Sequence, residues 1–100
     1  MDARSILYAR RERQGLSADD LRWFAEGLAS GSVSDAQAGA FAMGVLLNGI
    51  GAEERVALTL AMRDSGDRLA WDLPGPVVDK HSTGGLGDCV SLLLSPMLAA

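Results

Sequence analysis

Val77-Val78-Asp79-Lys80-His81-Ser82-Thr83-Gly84-Gly85-Leu86-Gly87-Asp88 decides how the chain is read. Two β-branched residues lead into a polar turn, then a glycine-rich loop, then an aspartate with an apolar run behind it. That order predicts strand, loop and helix. Gly84, Gly85 and Gly87 allow backbone N–H groups to approach a ligand closely, because no Cβ stands in the way. Asp88 suits the N-cap of the helix that follows. Helix N-termini and convergent N–H groups attract anions, phosphate above all. Lys80 adds a positive charge, and Ser82, Thr83 and Ser91 add hydroxyls. The residues by themselves therefore describe a phosphate-binding strand–loop–helix. The plainer alternative is a tight turn whose glycines only supply positive φ. Neither G-x-x-x-x-G-K-[ST] nor G-x-G-x-x-G is present, since the lysine precedes the glycines.

Upstream of this stretch, Pro74-Gly75-Pro76 is a strong breaker, and residues 67–76 read as a hinge linker. Residues 1–66 read as a helical domain, and residues 77–100 as the start of an α/β domain. The expected fold is thus a helical bundle followed by the first strand–loop–helix of an α/β unit. In the helical part, residues 3–13 form an amphipathic segment closed by Gly15 as a C′ residue. The run Arg10-Arg11-Glu12-Arg13 reads as a solvated face. Ser17 with Asp20, and Ser34 with Gln37, have capping-box spacing and predict two further helix starts. Leu21, Phe24, Ala25 and Leu28 make a core-facing stripe, with Trp23 off it.

The helix after Ser34 is rich in Ala and Gly, which predicts close packing on another helix at a cost in helix propensity. A fourth helix covers residues 52–63, with Glu53 and Glu54 in its first turn, where the dipole favours negative charge. Met43 and Met62 read as core filler. Pro96 is expected to kink or end the last helix. The apolar ending Leu92-Leu93-Leu94-Ser95-Pro96-Met97-Leu98-Ala99-Ala100 suggests the front of a longer polypeptide, since one strand and one helix cannot make a sheet.

One hundred residues is one small domain or part of a larger one. At 48% hydrophobic and 22% charged, the chain has neither a disordered nor a membrane composition. A net charge of −4 argues against general nucleic-acid affinity, which needs a basic surface. The single cysteine, Cys89, excludes an internal disulfide and a cysteine-rich metal site, and fits a reducing compartment. The early Asp2, Arg4, Arg10 and Arg11 do not make a secretory signal. No apolar run approaches the ~20 residues of a membrane span. A soluble, cytoplasmic protein is expected.

The segment Asp79 to Asp88 closely resembles the signature of the thymidine and pyrimidine-nucleoside phosphorylases. Ser34-Asp35-Ala36-Gln37, Ala40-Phe41-Ala42-Met43, Asn48-Gly49-Ile50 and Leu58-Thr59-Leu60-Ala61-Met62-Arg63-Asp64-Ser65-Gly66 resemble the front of the same family in order and spacing. Residues 61–66 and Gly75-Pro76 look most like its bacterial thymidine-specific branch. The resemblance implies phosphorolysis of a 2′-deoxynucleoside to a pyrimidine base and 2-deoxyribose 1-phosphate. It implies inorganic phosphate as co-substrate, no required cofactor, and a homodimer formed through the N-terminal helices.

By the same resemblance, Lys80, Ser82 and Ser91 bind phosphate together with Thr83, Gly84 and Gly85. His81 stands near the pyrimidine carbonyl as catalytic donor and base contact. Gly87 and Cys89 match positions that help bind potassium in pyrimidine-nucleoside phosphorylases. Cys89 departs from the usual threonine or valine, and a soft thiol suits a hard cation poorly, so only backbone could serve. Leu86 replaces the usual valine, and Ile50 the usual methionine. The family's other base-binding residues fall beyond residue 100, so these hundred residues are expected to be inactive alone. Two other readings stay open: a phosphoribosyltransferase of the anthranilate type, whose loop usually reads Gly-Thr-Gly-Gly without Lys-His-Ser, and a non-catalytic helical interaction module that kept an anion loop.

Overall fold

A computed structural model describes residues 1–84 and 89–100. Among these residues there are five helices and no strand. They are α1 (Ala3–Arg11), α2 (Ala18–Ser30), α3 (Asp35–Asn48), α4 (Ala52–Ser65) and α5 (Cys89–Ala99). The chain divides into two compact units, Met1–Leu69 and Ala70–Ala100.

The first unit is a four-helix bundle in which α1 packs on α3 and α2 packs on α4. Its helix starts are local in origin. Asp2 caps α1 by accepting from Ser5 N–H at 2.7 Å. Ser17 and Ser34 form the two capping boxes that their spacing predicts, each hydroxyl accepting from the N3 backbone while Asp20 or Gln37 reaches back. The α2 stripe is buried as expected at Leu21, Phe24 and Ala25. Phe24 meets Phe41 of α3 with ring centroids 4.5 Å apart. With Ala3, Ile6, Leu16 and Val33 they form the core.

Several local expectations are corrected. The left-handed residue after α1 is Arg13, with φ 58°, and not Gly15. Arg13 N–H donates to Arg10 C=O and Gln14 N–H to Ala9 C=O, the paired bonds of a Schellman ending. Arg10 is not on a solvated face; it is 5% exposed, one turn beyond Ile6 on the buried side of α1. Trp23, off that stripe, is half-buried and packs on the core. Met43 and Met62 are both 54% exposed and fill no core. The predicted close approach of α3 occurs at Gly44, where a Cβ would stand 3.0 Å from Arg10 Cγ, while Gly39 faces open space.

In the second unit the strand expected at Val77 is not formed; Val77 and Val78 are exposed and belong to no ladder. A strand needs partners for its N–H and C=O groups, and no described segment supplies them. Helix α5 continues through Pro96 to Ala99, so the proline does not end it. Ala100 N–H bonds the Pro96 C=O at 3.1 Å. The proline's missing N–H removes one bond, the one to Leu92 C=O, and the turn beyond it carries on.

Candidate functional site

The predicted anion-binding residues lie in the second unit, on the segment before α5 and on its first turn. Lys80 Nζ donates to Ser91 Oγ, which brings together two groups from either side of the glycine-rich loop. Both residues are half-buried. Ser82 Oγ accepts from Gly84 N–H at 3.0 Å, turning the chain just after His81. Gly84 has φ 72°, a conformation that glycine enters without the Cβ penalty. His81, Ser82, Thr83 and Gly84 are exposed. Gly85 and Gly87 lie outside the described residues, as does the N-cap expected at Asp88. Cys89 is an exposed free thiol at the start of α5.

The potassium contact implied at Gly87 falls outside the described residues. Among the described residues no cluster of three or more His, Cys, Asp or Glu side chains could hold a metal ion. The Cys89 thiol is a soft donor, mismatched to a hard cation. No helix among the described residues is long and apolar enough to cross a membrane.

The first unit holds a polar cluster that inspection of motifs missed. Glu54 Oε1 accepts from Leu16 N–H at 2.7 Å, and Oε2 from Gly51 N–H at 2.7 Å. Arg10 Nη1 approaches the same Oε1 at 3.5 Å. Asn48 Nδ2 donates to the carbonyls of Arg10 and Arg11 at 3.0 and 3.2 Å. Thus the end of α1, the end of α3 and the start of α4 are tied together. The bond from Leu16 N–H, set against desolvation, is the main reason that the Glu54 carboxyl is held below the ordinary glutamate value. The bond from Gly51 and the charge of Arg10 act in the same direction. Two signals were available in the sequence. Glu54 stands three residues after Gly51, at capping-box spacing, and Arg10 continues the buried Ala3–Ile6 side of α1.

Between α2 and α4 runs an apolar groove of about 730 Å³, with Val56, Leu60 and Ala61 inside it and Arg22, Glu26 and Asp64 among its lining.

Residues 4–66, which take in nearly all of α1 to α4, match the glycosyl transferase family, helical bundle domain. The chain belongs to this glycosyl transferase family. Individual relatives extend the match past the bundle domain. The thymidine phosphorylase of Mesorhizobium japonicum is 59% identical over 96 residues, covering 95% of this chain and 22% of that protein. A thymidine phosphorylase of Burkholderia cenocepacia is 57% identical over 98 residues, covering 93% of this chain and 22% of its own length. That of Burkholderia lata is 56% identical over 94 residues, with 91% and 22% covered. The chain therefore spans 22% of the length of these relatives. For this glycosyl transferase family member, Lys80 to Ser91 fall after the bundle domain but inside the stretch that aligns with the Mesorhizobium protein.

Proposed function

We propose that these residues belong to a thymidine phosphorylase, converting thymidine and phosphate to thymine and 2-deoxy-D-ribose 1-phosphate in pyrimidine nucleoside salvage. The observation that carries this reading is the contact between the Lys80 ammonium and the Ser91 hydroxyl, which sets a charge and a hydroxyl side by side. Relatives carrying the name thymidine phosphorylase, at 55 to 59% identity, support it.

The chemistry follows from what phosphate needs. Phosphate is a weak nucleophile, and holding it in line with the anomeric carbon supplies much of the rate. Lys80, Ser82 and Ser91 hold it, with Thr83, Gly84 and Gly85 belonging to the same phosphate-binding stretch. A phosphate oxygen bonds to C1′ as the bond from C1′ to the base nitrogen breaks. That bond's electron pair leaves with the pyrimidine, so negative charge grows on the base while the sugar becomes cationic. A donor placed at the base carbonyl stabilises this charge only as it develops. His81 is that donor, through an imidazole N–H to the base carbonyl.

The same reading makes the protein a cytoplasmic homodimer joined through the N-terminal helices. Helix α3 supports the pairing, because it has no charged side chain after Asp35 yet leaves Met43, Leu46 and Leu47 exposed. An apolar helix face normally finds cover. The exposed free thiol of Cys89 is in keeping with a reducing compartment.

The test uses a polypeptide of the relatives' full length that contains these residues. Thymine release from thymidine is expected to require phosphate. Lys80→Ala is expected to lower kcat/KM for phosphate by about 100-fold or more, the scale of losing one group that stabilises transition-state charge. Thymine release that ignores phosphate, or an unchanged Lys80→Ala enzyme, overturns the reading.

A further inference from the structure

We draw no further inference here: the strongest candidate, the apolar groove between α2 and α4 that contains Val56, Leu60 and Ala61, carries nothing because nothing in the structure shows what covers it.

Discussion

Arg10 and Glu54, 44 positions apart, face each other at 3.5 Å with side chains only 6% and 15% exposed. The pair is unequal. Glu54 also accepts two backbone N–H groups at 2.7 Å, whereas Arg10 Nε is buried with no hydrogen-bond partner among the described residues. Glu54→Ala leaves a buried guanidinium and the Leu16 N–H unanswered, and is expected to cost about 2–3 kcal/mol. Arg10→Met keeps an aliphatic stem over Gly44 and leaves Glu54 on its backbone donors, so a loss of about 1 kcal/mol is expected. Urea denaturation followed by circular dichroism checks the order of the two.

The same carboxylate gives the bundle an acid limit. Its folded value lies below the ordinary 4.5 of glutamate, chiefly through the bond from Leu16 N–H. A depressed carboxyl contributes stability that is fully present above the unfolded value and is lost as pH falls through the folded one. Asp20, lowered by its bonds with Ser17, acts in the same direction from an ordinary 3.8. Melting temperature is expected to decline as pH drops below about 4.5, and Glu54→Gln should flatten the upper part of that decline. Thermal melts across acid pH measure both slopes.

Gly27 and Gly39 should answer alanine in opposite senses. A Cβ at Gly27 would stand 2.5 Å from Val33 Cγ2, and Val33 is buried. Gly27→Ala is expected to destabilise by about 1–3 kcal/mol, overpacking outweighing the gain in helix propensity. Adding Val33→Ala should relieve part of that clash. At Gly39 nothing lies within 4 Å, so Gly39→Ala should stabilise α3 by about 1 kcal/mol. Thermal melts of the three variants against the parent check the signs.

Arg13 sits at φ 58°, where a side chain costs about 1–2 kcal/mol and glycine does not. Its Nε bond to Asn48 Oδ1 is long, at 3.4 Å, and offsets little. Arg13→Gly is expected to gain about 0.5–1 kcal/mol, with the looser unfolded chain taking part of the benefit. Arg13→Ala keeps the backbone strain and should gain nothing. The two midpoints in urea separate backbone from side-chain effects.

For the proposed reaction, His81→Ala in the full-length protein should lower kcat by about 100-fold or more while leaving KM for phosphate near its original value. A donor to the base acts as charge develops there, whereas Lys80 and Ser91 act on the anion. Steady-state kinetics varying thymidine and phosphate independently read that division.

The capping boxes at Ser17 and Ser34 and the Leu21–Phe24–Ala25 stripe were legible in the sequence, because each depends on residues three or four apart on one helix. The resemblance carried by residues 79–88 likewise needed only the order of residues. Where Arg10 points and which glycine of α3 touches a neighbour depended on partners dozens of positions away. Those partners meet only after α1 settles on α3 and α2 on α4. The strand expected at Val77 makes the same point from the other side, since β structure exists only between chains of hydrogen-bonding partners. Local chemistry therefore determined the starts of the helices, while burial and backbone pairing, being properties of contact across the fold, were decided by the tertiary structure alone.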